Sequence, residues 1–158
     1  MTEEIPDGAR AVARLLVIGP NQRVLLLEAA DASTSERFWL TPGGGVEATE
    51  SFEDAARREL YEETGLTVDK IGPWVWTRRH RYQWEGRAFD QYERFFVVRT
   101  SEDAVVPRKQ DGYVRGHRWW TVPELHATSD RMAPRRFARL IDVIVSGQYP
   151  SEPIDCGV

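Results

Sequence analysis

Between Thr41 and Gly45 the sequence reads Thr-Pro-Gly-Gly-Gly, and the stretch that follows it, Ser51 to Glu63, is dense in charge. Proline lacks a backbone donor and three successive glycines carry no side chain to pack, so the first stretch can neither extend a helix nor hold a regular central strand. A loop is predicted there. The second stretch sets Ala55, Ala56 and Leu60 among charged residues, with Ser51 or Thr49 as a cap and Gly65 as a stop, and predicts a short helix. On that helix Glu59, Glu62 and Glu63 stand at i, i+3 and i+4 and share one face. Three carboxylates on one patch repel each other, and oxygen ligands of this kind suit a hard divalent ion, Mg²⁺ or Mn²⁺. Magnesium keeps water and shares itself with phosphates, so carboxylates facing an open loop read as a phosphate-processing site. For the helix taken alone, a solvated acidic face stays open as the alternative.

The rest of the chain predicts strands, helix, strands, helix. Ala9 to Ile18 and Val24 to Leu27 read as a hairpin across Gly19-Pro20-Asn21, and Trp74 to Trp84 with Phe89 to Arg99 as a long one across Glu85-Gly86-Arg87. In the former strand of the long hairpin, alternation assigns Trp74, Trp76, Arg78, His80, Tyr82 and Trp84 to one face. His117 to Trp120 reads as a brief strand, Thr121-x-x-Glu124 as a capping box with Pro123 in the first turn, and Ala133 to Ser146 as the last helix. The order implies an α/β unit at 9–148, with a flexible segment at 1–8 and a loose, proline-containing tail at 149–158. The length of 158 residues fits one domain, and a net charge of -4 gives no general electrostatic reason to bind nucleic acid or an anionic membrane. A lone cysteine, Cys156, excludes an intrachain disulfide and a cysteine zinc cluster and favours a reducing, cytoplasmic setting. No apolar run is long enough to span a membrane, and the acidic N-terminus lacks a signal-peptide layout.

Gly44, Glu50, Arg58, Glu59, Leu60, Glu62, Glu63, Gly65 and Leu66 match, without gap or substitution, the pattern G-x5-E-x7-R-E-U-x-E-E-x-G-U, where U is aliphatic. The sequence therefore resembles the Nudix hydrolases over residues 44 to 66. What the resemblance implies is an α/β/α sandwich with a mixed sheet and the box as loop-helix-loop, and water attack on a phosphorus of a nucleoside diphosphate linked to another moiety. It further implies Glu59 and Glu63 as metal ligands, Glu62 as a ligand or water-organising group, and the carbonyl of Gly43 or Gly44 as a backbone ligand. Arg58 would orient this cluster with Glu50 as its ion-pair partner. The implied cofactor is Mg²⁺, with Mn²⁺ as a substitute, and the implied partner is a nucleotide-type small molecule, of nucleoside triphosphate or dinucleoside polyphosphate type. No nucleic-acid or membrane partner is implied, and a homodimer stays open.

Family members often take their general base from a loop beyond the box. Asp111, shortly before Arg118-Trp119-Trp120, is the first candidate for it; Glu102 and Asp103 are alternatives, and so is an idle loop acid. Arg79, Arg81 and Tyr82 lie in a basic and aromatic stretch that either grips phosphates and a base or forms ordinary cross-strand pairs. Tyr82 lies sixteen residues past the box, where some dinucleoside polyphosphate hydrolases of this family carry a tyrosine. A module that senses nucleotides without turnover is the alternative function, but such modules usually lose box carboxylates, and none is lost here. An isomerase of the same fold needs a cysteine within the fold, and Cys156 in the tail is badly placed for it.

Overall fold

The computed structural model describes residues 4–31, 33–109 and 111–158. Of the N-terminal segment at 1–8, residues 1–3 therefore lie outside the described part, and 4–8 lead exposed or half-buried into the first strand. Among the described residues, strand β1 (Arg10–Ile18) is the axis of a nine-stranded mixed sheet. It runs parallel to β6 (Arg87–Arg99) over its whole length, from Arg10 opposite Gln91 to Ile18 opposite Arg99. β5 (Trp74–Trp84) joins β6 as the expected long antiparallel hairpin, turned by Glu85 and Gly86 at φ 52° and 76°. On the other side β2 (Val24–Ala30) carries β3 (Arg37–Leu40) and β7 (Val114–Trp120), both antiparallel to it, and β8 (Arg131–Ala133) lies parallel to β3.

The predicted β1–β2 hairpin is reduced to a single pair, Ile18 with Val24. The reason is the glycine run. Gly43–Gly45 is not a free loop but a three-residue strand, β4, antiparallel to β1 and occupying the edge that β2 would otherwise take. Leu15 N–H to the Pro42 carbonyl (2.9 Å) and Val46 N–H to the Ala11 carbonyl (2.9 Å) extend that contact on both sides. Glycine is what makes the approach possible: Gly43 has φ +152°, and a Cβ there would strike the Ala13 carbonyl and the Arg14 backbone.

Alternation along β1 divides the core into two layers. Leu16 and Ile18 pack with Leu26, Trp39, Trp76, Phe95 and Trp120 under α2 (Val122–Ala127) and α3 (Phe137–Val145). Ala13, Leu15 and Val17 face Phe52, Ala55, Ala56 and Leu60 of α1 (Phe52–Thr64). The sheet thus lies between helices on both faces, the α/β/α arrangement expected. Helix α1 is delimited by local chemistry: Ser51 caps it in a reciprocal box with Asp54, and Gly65 ends it at φ 75°. The Thr121–Glu124 box opens α2 as predicted.

Three further expectations are corrected. A register shift between Trp74 and Trp76 turns Trp74 to the α1 face, while Trp76 is buried with Phe137 on the other, so the six alternating residues do not share one side. The last helix starts at Phe137, not near Ala133, because Arg131–Ala133 is taken up by β8. The segment 149–158 is not loose. Its Ile154–Asp155 pair forms β9, parallel to β5, and Cys156 is fully buried, with its N–H donating to the Thr77 carbonyl at 3.0 Å. Burial pushes the Cys156 thiol up to about 12. Cys156 is therefore expected to resist a thiol-specific reagent at pH 8 in the native protein and to react once denaturant is added. Rapid native labelling would show that the β9 segment is not docked in solution.

No helix among the described residues is long and apolar enough to cross a membrane.

Candidate active site

One cavity of about 240 Å³ collects the chemistry of the box, with Glu59, Glu62, Glu63, Arg58 and Asp111 in its lining. Helix α1 contributes the first four because its apolar side is fixed to the sheet by Ala55, Ala56 and Leu60, which aims the opposite side toward β4. Glu63 is 4% exposed, and its Oε1 accepts the Gly43 N–H at 2.7 Å. Gly44 packs so closely on Glu59 that a Cβ there would fall on the carboxylate. The glycine run therefore holds two of the three box carboxylates against a strand edge.

Arg58 ties the group together. Its Nε and Nη2 donate to both oxygens of Glu50 at 2.7 and 2.8 Å, its Nη1 to Glu59 at 2.9 Å and Glu62 at 3.4 Å, and its Nη2 also to the Gly45 carbonyl at 2.9 Å. This bidentate hydrogen bonding from Arg58 brings the Glu50 carboxyl down to about 2. Burial acts the other way on the inner acids. It pushes Glu63 up to about 8, the Gly43 N–H only partly opposing it and the charges of Glu59 and Asp111 adding to it. Glu59 is raised as well, chiefly by burial and against Arg58.

Such a donor set fits a divalent cation. The oxygens are hard, the carboxylates crowd each other, and the buried pair holds its charge reluctantly without one. Among the described residues no three His, Cys, Asp or Glu side chains form a ready-made cage. An ion that fills its remaining positions with water and substrate oxygens matches this chemistry.

Asp111 reaches the pocket through the loop between β6 and β7. The N–H groups of Arg108 and Lys109 both donate to the Glu62 carbonyl, at 2.8 and 2.7 Å, and Val106 N–H to the Thr64 carbonyl at 2.9 Å. The unpaired carbonyls at the end of α1 thus tether the loop. A turn closed by Val114 N–H to the Asp111 carbonyl (3.0 Å) follows. Burial raises the pKa of the Tyr113 hydroxyl in that turn, and the Asp111 and Glu63 carboxylates beside it add to the rise. The two alternative acids are elsewhere: Asp103 pairs with Arg23 at 3.1 Å, and Glu102 is exposed outside the cavity lining.

Arg79, Arg81 and Tyr82 do not line this cavity. Arg79 and Arg81 pair with Asp90 across the hairpin at 2.9 and 3.5 Å, and Tyr82 stacks between His80 and Phe89 at ring separations of 4.5 and 5.2 Å. These are cross-strand contacts, and Arg81 and Tyr82 also line a separate, more open groove on the hairpin with Gln83, Ala88, Phe89 and Asp90. Arg10 and Lys109 do line the carboxylate cavity, and sequence reasoning missed both. Neither belongs to a local pattern; only the folded sheet and the tethered loop bring them there.

Beneath the site lies a buried ion cluster. Glu93, fully buried on β6, accepts from Arg78 Nη2 at 3.0 Å and from Arg14 Nε at 3.3 Å. Burial alone would raise the Glu93 carboxyl, but the two guanidiniums outweigh it and hold it below the usual range. Arg14 also reaches the Thr41 carbonyl at 3.5 Å, linking this cluster to the glycine run.

A glycine-backed carboxylate pocket on a mixed sheet between helices fits a hydrolase acting on phosphoanhydride bonds. The sequence model of the NUDIX domain matches residues 8–141, and the chain belongs to that family. The phosphatase NudJ of Escherichia coli strain K12 is 30% identical over 139 residues, covering 87% of this chain and 86% of that protein. A longer protein of Caenorhabditis elegans, named as a nudix hydrolase, is 29% identical over 143 residues; the match spans 89% of this chain but 36% of that one. In fold the chain is similar to the MutT protein of Methanosarcina mazei Go1, with a TM-score of 0.65, 19% identity and coverage of 88% and 96% of the two chains. A C. elegans Ap4A hydrolase complex gives a TM-score of 0.60 at 17% identity, covering 88% and 99%. The family acts on nucleotide substrates and generally uses divalent metal ions.

Proposed function

We propose that this protein is a pyrophosphohydrolase that cleaves a phosphoanhydride bond in a nucleoside triphosphate or dinucleoside polyphosphate, with Mg²⁺ as its ordinary ion and Mn²⁺ as a substitute. The observation that carries this reading is the convergence of Glu59, Glu62, Glu63 and Asp111 on one cavity beside the glycine run. The name of the Ap4A hydrolase among its structural neighbours supports the substrate class, and that of NudJ supports phosphate chemistry.

Glu59, Glu62, Glu63 and the Gly43 carbonyl would hold the ion. When bound, a divalent ion supplies the charge that lowers the pKa of an attacking water and offsets charge on phosphate oxygens. Arg58, fixed by Glu50, keeps Glu59 and Glu62 in place from behind. Asp111 takes the proton from the attacking water; it lies at the cavity wall on a tethered loop, as a group that meets substrate from the side should.

A panel of nucleotides, assayed with Mg²⁺ and product identification, tests this directly. Release of a nucleoside monophosphate, pyrophosphate or phosphate is expected, and the products tell which phosphorus is attacked. No release from any member of a broad panel would overturn the reading. For Asp111→Asn, kcat is expected to fall by at least about tenfold, corresponding to 1.36 kcal/mol in the barrier. A drop below about threefold would remove Asp111 from the role of base.

A further inference from the structure

Two cations in the carboxylate cavity take no part in its internal ion pairs. Arg10, the first residue of β1, and Lys109, on the loop tethered to α1, both line it. Among the described residues, neither side chain is engaged in a hydrogen bond or ion pair. Arg58 differs from them, since its donors are already taken by Glu50, Glu59, Glu62 and the Gly45 carbonyl.

Both side chains are exposed at the cavity mouth. The Arg10 guanidinium lies directly over Gly45, in the space that a Cβ there would enter. Lys109 is fixed at its backbone, through the 2.7 Å hydrogen bond from its N–H to the Glu62 carbonyl, next to a box carboxylate. The two therefore enter the cavity from different elements, one from the sheet and one from the end of the box helix.

Charge decides what they can meet. The cavity lining has five acidic residues, Glu47, Glu59, Glu62, Glu63 and Asp111, against three basic ones. Divalent ions at the inner acids would leave Arg10 and Lys109 as positive groups at an open mouth, which suits an anionic ligand longer than the group bound at the metal. Arginine can meet two phosphate oxygens at once, and lysine adds a compact charge.

We propose that Arg10 and Lys109 form a two-sided grip on the phosphoryl groups flanking the one attacked, so that the site favours a chain of three or more phosphates over a diphosphate. The proposal rests on the reading of this cavity as the phosphoanhydride site and adds to it a selectivity for chain length.

The test uses the full chain with Mg²⁺ and two inorganic probes, tripolyphosphate and pyrophosphate, with affinities measured by calorimetry for the wild type, Arg10→Gln, Lys109→Gln and the double variant. The wild type is expected to bind tripolyphosphate at least about tenfold more tightly than pyrophosphate. Each single variant should weaken tripolyphosphate binding by about tenfold and pyrophosphate binding by less than about threefold. Arg10→Lys and Lys109→Arg should recover part of the loss, and rising salt should shrink the difference between probes. In turnover of the best nucleotide the variants should raise KM and leave kcat within about threefold. Equal affinity of the wild type for both probes, or unchanged tripolyphosphate binding in the double variant, would overturn the grip. A wild type that binds tripolyphosphate through these residues but hydrolyses no nucleotide would uphold the grip and overturn the proposed activity instead.

Discussion

Glu63→Gln is expected to lower kcat by roughly 10²-fold or more, about 2.7 kcal/mol of lost transition-state stabilisation, while leaving the fold intact. The two halves of this expectation have separate physical origins. The amide keeps a carbonyl oxygen that can accept the Gly43 N–H, which now binds the carboxylate at 2.7 Å. It also removes the cost of ionising a group only 4% exposed, whose carboxyl is pushed up to about 8 by burial. The folded chain without metal should therefore melt no lower than the wild type. What is lost is an anionic oxygen ligand, so Mg²⁺ should also be needed at higher concentration. Steady-state kinetics across a Mg²⁺ series, with a thermal melt in a chelator, checks both; near-normal kcat in a folded variant would sink the assignment of Glu63 as a ligand.

The second large effect is expected on stability. Glu93→Gln leaves Arg78 buried, and Arg14 half-buried, around a neutral group, and removing one partner of a buried ion pair costs about 3–5 kcal/mol. For a chain of this size that corresponds to a fall of roughly 10 °C in Tm. The sign with pH follows from the depressed Glu93 carboxyl. Its contribution is present above the ordinary glutamate value of 4.5 and is lost as pH falls through the lower folded value, so the difference between wild type and variant should shrink in acid. Adding Arg78→Met should recover part of the loss, because the charge then leaves together with its partner. Equal Tm for wild type and Glu93→Gln at pH 7 would show that the cluster is not buried as described.

The parts of the site readable from sequence are those whose geometry is local. Glu59, Glu62 and Glu63 share a face because helical periodicity alone dictates it, and the Arg58–Glu50 pair is bonded at 2.7 Å within one short loop-helix segment. Caps behaved the same way: Ser51, Gly65 and the Thr121–Glu124 box sit where short-range chemistry puts them. What escaped depends on distant partners. Nothing within Pro42-Gly43-Gly44-Gly45 says that a strand edge from Arg14 to Val12 awaits it. The Trp74 side chain changes face through a bulge set by its pairing with β6, and Ile154–Asp155 becomes a strand only because the β5 edge accepts it. Arg79 and Arg81 are conspicuous as a run yet lie against Asp90, whereas Arg10 and Lys109 stand out in no local pattern and line the cavity. Asp111 could be nominated from its distance beyond the box; the tether to the Glu62 carbonyl that fixes its loop could not.

The parallel ladder between β1 and β6 has a consequence for how the molecule is made. Arg10 must find Gln91 and Ile18 must find Arg99, so the middle of the sheet closes only after a long intervening stretch has been organised. Loop-closure entropy has to be overcome before those contacts give anything back, which places this topology among the slower folders. The glycine strand that backs Glu63 lies on the opposite edge of β1 from β6, and the Arg14–Glu93 contact bridges β1 to β6. Recovery of activity on refolding should accordingly track the final cooperative step, with no active species building up ahead of it.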